Sequence, residues 1–451
     1  MTSARPDVGL PEPRVVPWVL SFARMISLPY LRLGLGFGRV TVRHADRLVD
    51  AFHSALAGER RVVLAFRHPY GDEPQLLSWL FSSGVRHYAR AAGVHLTRPP
   101  HAFFVHGYEV PRWGGAVVRW ILPRVGALPV HHSKLDSTGM ARIRTAIEDG
   151  AYPVALSPEG QVSYTSADVP RLEPGVVRLG FQAADRLASA GRPEHVHIVP
   201  VSVHYRYGKR GEAGLARLMG RLERFAGLAA TTGAEGRTDM RLGRALASLL
   251  KTAERLYGLS PGQHESTAER VGSIVEAALA SGERLLGMAH GGGDSFARLY
   301  RIRQTGWDRV FLPPGQDPRA MTPLERAIAD RRSGEAWYAM RHMELADFAL
   351  YLRSDPPAAD APLYAVVEYA QNLWDFANRL AGGTIAGRME VRPKHADIIV
   401  GEPIDLSKRL AAYYDDRKRA VADTLSALEH EYRNCIRECC IDDHKEHSNE
   451  N

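Results

Sequence analysis

Cysteine is nearly absent: Cys435, Cys439 and Cys440, all near the C-terminus, are the only three in 451 residues. So few, so clustered, they make no disulfide framework and suit a reducing compartment. His444 and His447 lie close by, but no partner cluster has metal-ligand spacing, so free thiols on a helix end are expected there and no metal site.

Long apolar runs are missing as well. None reaches the roughly 18 residues of a spanning helix. The stretch from Val15 to Phe37 comes closest, but Arg24 and Arg32 interrupt it, and it lacks a charged start followed by a cleavage site. With Trp18, Phe22, Leu28, Tyr30 and Leu33 among those arginines, it suits either a helix lying in a membrane interface or one packed on the protein's own body. Charge of one sign is in small excess: 58 Lys plus Arg against 51 Asp plus Glu leaves +7, with a pI near 9.3. That excess fits an anionic membrane face or an acidic ligand and is too weak to imply nucleic acid. Wholesale disorder is excluded by 45% hydrophobic and 24% charged content. No Gly-x-Ser-x-Gly occurs, so a covalent serine intermediate is not supported.

What is present alternates. Between residues 60 and 208 short apolar runs, Val62 to Phe66, Ala127 to Val130, Pro153 to Ser157 and Val196 to Val203, read as buried strands. Helical spacing intervenes, as in Met140-Ile143-Ile147, with Ser137 or Thr138 as cap and Gly150 as stop. This predicts an α/β architecture with a mixed, largely parallel sheet flanked by helices. Residues 1–59 read as an amphipathic helical segment, 60–208 as the α/β core and 209–388 as a large helical insertion. Residues 389–434 read as a return strand and C-terminal helix of the core, and 435–451 as a polar tail.

Three stretches carry chemistry-bearing residues. In AFRHPYGDEP, His68 follows a buried strand, with Asp72 and Glu73 four and five positions on. On a regular helix the first carboxylate would share the histidine's face and the second would not. A carboxylate accepting the Nδ1 proton leaves Nε2 free to take a proton from an alcohol; the alternative is a surface turn with a capping acid. Ser157-Pro158-Glu159-Gly160 again ends an apolar strand, and a carboxylate beside a glycine there suits hydroxyl binding or loop orientation. Gly126 to His132 ends a third strand, where His131, His132 and Lys134 could meet an anion.

The order of these pieces, His68 to Glu73, then Gly126 to His132, then Pro158-Glu159-Gly160, then Ile198-Val199-Pro200-Val201, resembles the glycerolipid and lysophospholipid acyltransferase family, of the 1-acylglycerol-3-phosphate acyltransferase type. The likeness covers residues 60 to 205, and the late Gly401-Glu402-Pro403-Ile404 resembles that family's closing strand. It implies acyl transfer from acyl-CoA or acyl carrier protein to a hydroxyl of a lysolipid or glycerolipid acceptor at a membrane surface. His68 would be general base, with Glu73, favoured by spacing, or Asp72 orienting it. His132, Lys134, Pro158, Glu159 and Gly160 would form the acceptor site. No metal or organic cofactor is called for, and a cytoplasmic, peripherally membrane-associated protein is expected.

The chain departs from the pattern in three places. Glu73 stands where the family usually has Asp, His132 where it has Arg, and Gln161-Val162-Ser163 where Thr and then Arg are usual. Without guanidinium forks at those positions, bidentate phosphate recognition falls to Lys134, Arg171 or Arg178, or the acceptor is not a phosphate ester. Trp113 and Trp120 among Arg112, Arg119 and Arg124 suit a membrane boundary, or a core helix with snorkelling arginines. Two other readings remain: a non-catalytic lipid-binding scaffold, and a thioester hydrolase in which water replaces the alcohol.

Overall fold

A computed structural model describes residues 3–7, 9–131, 136–229, 236–260, 266–384 and 387–449, with side chains to residue 440. The chain divides into two compact units, one comprising residues 10–206 and 393–451, the other 1–9 and 207–392.

Among the described residues the first unit is built on an eight-stranded sheet. Its strands are β1 (Phe37–Arg43), β2 (Arg60–Phe66), β3 (Phe103–Gly107), β4 (Leu128–Val130), β5 (Val154–Leu156), β6 (His195–Arg206), β7 (Lys394–Val400) and β8 (Ile404–Asp405). The order is β1-β7-β6-β2-β5-β3-β4, with β8 paired to β6. All pairs are parallel except those of β6 with β7 and β8, so the sheet is mixed and mostly parallel. Parallel strands need covering on both faces, which explains the near-continuous apolar run of β2. Alternate side chains serve the two layers. Val63 and Ala65 join Ile143, Phe181, Leu428 and Tyr432 from helices Ser137–Asp149, Gly175–Ser189 and Arg417–Asn449. Phe66 meets Phe104, which stacks on Phe81.

Three expectations are corrected here. Residues 1–59 are not all helical: after helix Pro17–Pro29 the chain forms β1, which its two arginines and a glycine disguise. The cap of helix Ser137–Asp149 is Asp136, whose carboxylate accepts from the Gly139 amide at 2.8 Å. The polar tail expected from residue 435 is helical as far as Asn449. Cys435 and Cys439 are free thiols on this helix, as expected, and lie buried against Ile399, where they pack as small hydrophobes.

In the second unit, helices Lys209–Phe225, Thr238–Tyr257, Thr267–Leu285, Ser295–Val310, Pro323–Leu350 and Leu363–Leu380 pack together. Capping boxes at Ser266/Glu269 and Thr322/Glu325 start two of them. The loop His290-Gly291-Gly292-Gly293-Asp294 has a local explanation: Asp294 caps helix Ser295–Val310, and His290 Nδ1 lies 3.2 Å from Glu283.

Candidate active site

Strands β2 to β6 run parallel to one another, so their C-terminal ends lie along one edge of the sheet. This edge is where open α/β sheets place ligands. Arg67 and His68 leave β2 there, Ser157 to Gly160 leave β5, and His131 leaves β4 with its ring stacked on Tyr108, centroids 4.1 Å apart. Because β7 runs antiparallel to β6, its first residue, Lys394, comes to the same edge.

The turn after His68 decides which carboxylate meets it. Gly71 has φ of +100°, a conformation costly for any residue with a Cβ, and the helix begins only at Glu73, with Pro74 in its first turn. Helical spacing therefore does not relate His68 to Asp72. Instead the Glu73 side chain folds back, accepting the Tyr70 amide at 2.9 Å and the Gly71 amide at 2.8 Å. Glu73 Oε2 then lies 2.7 Å from His68 Nδ1. Asp72 turns the other way, pairing with the Lys394 ammonium and accepting from the Tyr205 hydroxyl at 2.6 Å. That hydroxyl also reaches Glu73.

Glu73 is buried completely, whereas the His68 side chain keeps 19% of its surface exposed. Among the described residues Nε2 has no hydrogen-bond partner. The imidazole is thus held from behind by a sealed carboxylate and is open in front. Burial works against its protonation, but the hydrogen bond and charge of Glu73, with Glu159 and Asp72 behind, prevail and raise its pKa above the ordinary value. Charge counting gives the same answer. Lys394 balances Asp72, which leaves the charge of Glu73 for His68, so the group carries one negative charge with His68 neutral and none with it protonated. Burial raises the Glu73 carboxyl, yet its bond to His68 outweighs this and leaves it below the usual range. Burial lifts Asp72 against the pull of Lys394. Tyr205, buried beside two carboxylates, stays a neutral donor.

The Glu159 carboxylate is turned inward. One carboxylate oxygen takes the Arg67 Nε at 3.0 Å and the other the His68 backbone amide at 2.9 Å, within a side chain only 1% exposed. The rest of the Arg67 guanidinium donates to the carbonyls of Ser166, Thr165 and Asp168. Glu159 therefore positions His68 and ties the β5 loop to β2; its expected acceptor-binding role is replaced by a supporting one, because a sealed carboxylate has no face left for a ligand. Pro158 is buried, its carbonyl accepting from the Glu173 amide, and Gly160, at φ +72°, lets the loop turn back. His132 and Lys134 lie outside the described residues.

Arg67, Tyr205 and Lys394 are the members that sequence reasoning missed. Arg67 carried one local signal, a charge closing an otherwise apolar strand. Lys394 carried none, since it lies 322 positions from its partner Asp72.

No protein-family model and no curated protein matches the chain.

Proposed function

We propose that the protein is an O-acyltransferase carrying a fatty acyl group from a thioester, acyl-CoA or acyl carrier protein, to a hydroxyl of a lysolipid or glycerolipid. The observation that carries this reading is the His68–Glu73 pair: a partly exposed imidazole whose Nδ1 is bound by a fully buried carboxylate at a strand's C-terminal edge. Glu73 holds the tautomer with the proton on Nδ1, so Nε2 is the basic nitrogen. Nε2 takes the proton of the acceptor hydroxyl as its oxygen attacks the thioester carbonyl. Glu73 stabilises the imidazolium formed. The tetrahedral intermediate expels the thiolate, which receives the proton from Nε2, leaving an ester and a free thiol. The resemblance of the ordered blocks to glycerolipid acyltransferases agrees with this chemistry.

Among the described residues no helix is long and apolar enough to cross a membrane. Peripheral attachment is supported by an apolar surface on helices Pro17–Pro29 and Gly115–Arg124. There Trp18 (63%), Met25 (67%) and Val117 (75%) are exposed, and Trp18 and Trp120 lie with ring centroids 5.8 Å apart. Arg124 lies over the Trp120 ring and Arg119 is exposed nearby, a pairing suited to headgroups. Helix Pro17–Pro29 also packs on the helix that Glu73 begins, so the surface belongs to the same element set as the catalytic pair.

The test offers purified protein on liposomes acyl-CoA or acyl carrier protein with lysophosphatidic acid, glycerol 3-phosphate, other lysophospholipids and phosphate-free lyso-lipids, with products read by mass spectrometry. An ester that falls by about 10²- to 10⁴-fold in His68→Ala is the expected outcome. Release of free fatty acid in place of ester would assign a hydrolase, and binding without any product would assign a non-catalytic scaffold.

A further inference from the structure

At the sheet edge opposite His68, two histidines and an aspartate converge. His195 and His197 sit two apart at the start of β6 and so project from the same face; Asp405 of β8 is the direct cross-strand partner of His197. Asp405 Oδ2 lies 2.9 Å from His195 Nδ1 and 3.5 Å from His197 Nε2, and the three ligand atoms lie within 4.8 Å of one another. A tetrahedral zinc ion with bonds of about 2.0–2.1 Å separates its ligand atoms by about 3.4 Å, a value the two measured separations bracket.

We propose that His195, His197 and Asp405 bind a divalent transition-metal ion of the zinc class, with solvent completing the coordination. Two imidazoles and a carboxylate suit zinc, cobalt or nickel rather than calcium or magnesium, which demand an all-oxygen shell. The site is partly built in advance: Asp405 Oδ1 accepts the Lys408 backbone amide at 3.2 Å, which orients the carboxylate, and the side chains of His197 and Asp405 are only 16% and 13% exposed. His195, at 48%, faces the solvent from which an ion would enter. Two cations oppose binding. The Lys408 ammonium lies 3.7 Å from Asp405 Oδ2, but at 76% exposure it can swing into water; Arg60 is already paired with Asp50 at 2.7 Å. Bound metal would clamp β8 to β6. Because β8 leads through the short helix Leu410–Asp415 to helix Arg417–Asn449, whose Tyr432 donates to the Ala65 carbonyl at 2.9 Å, the clamp would fix the returning C-terminal segment on the neighbour of the strand that carries His68. This role does not depend on the transferase reading.

The experiment adds Co²⁺ and Zn²⁺ to the full-length, EDTA-treated protein, reading the visible absorption of Co²⁺ and the thermal midpoint with Zn²⁺. An intense visible band at one equivalent of Co²⁺ and a rise of several degrees with Zn²⁺ are expected. Both should be lost in His195→Asn and in Asp405→Asn and kept in His68→Ala. Because His195 is half exposed, its replacement leaves the fold intact, which circular dichroism checks. No band and no thermal shift in the wild type, or responses that survive both substitutions, would overturn the proposal.

Discussion

Arg67 and Glu159 form an ion pair closed to solvent, with Nε and Oε1 3.0 Å apart and side chains 0% and 1% exposed. Consecutive in the chain, Arg67 and His68 share one supporting carboxylate: the first through its side chain, the second through its backbone.

Removing half of such a pair strands a buried charge. Glu159→Ala should lower stability by about 3–5 kcal/mol in urea unfolding, whereas the double change Arg67→Met with Glu159→Leu should recover only part of that loss, because the carbonyls of Ser166, Thr165 and Asp168 and the His68 amide then lose their partners. An acceptor-binding Glu159 would instead raise KM and leave stability alone.

The raised His68 pKa sets the pH behaviour. In the proposed transfer the base is the neutral imidazole, so kcat/KM should climb as pH rises through a value above the ordinary 6.5. The stability from the protonated form runs the opposite way: it is full below the unfolded value and lost as pH rises through the folded one. Glu73→Gln removes the main raising partner, and its acid limb should move to lower pH while kcat drops. Lys394→Met removes a positive charge, and its limb should move to higher pH. A pH–rate profile of the three proteins checks both directions.

His101 is a buried neutral histidine whose Nε2 donates to the Val125 carbonyl at 2.8 Å. Burial, with Arg24 nearby and against the help of that carbonyl, brings its pKa to about 4. Its contribution to stability is complete above pH 6.5 and is lost as pH falls toward 4, a loss of about 3 kcal/mol. Unfolding measured across that window should show the slope in the wild type and a shallower one in His101→Gln.

The exposed tryptophans offer a separate test. Trp18→Ser and Trp120→Ser should each weaken partition onto anionic vesicles about tenfold, corresponding to ~1.4 kcal/mol, well inside what burying such a side chain yields. Co-sedimentation measures this, and unchanged partition in the double variant would remove the membrane face from the account.

Much of this could be read along the chain. The apolar run of β2 was legible because a central parallel strand is buried on both faces, and the helices of residues 209–388 because alanine and leucine recur at helical spacing. His68 at a strand's end, with a carboxylate near, was also local information. Tertiary structure alone decided the rest. Two adjacent carboxylates are equivalent in composition, and only the left-handed turn at Gly71 and the lysine brought in by β7 send Glu73 to His68 and Asp72 to Lys394. Glu159 resembled a ligand-binding acid until strand pairing set it against Arg67, 92 positions away. The reason is physical: backbone propensity and hydrophobic period act over a few residues. A buried charge takes its role from whichever opposite charge the sheet order places within hydrogen-bond reach.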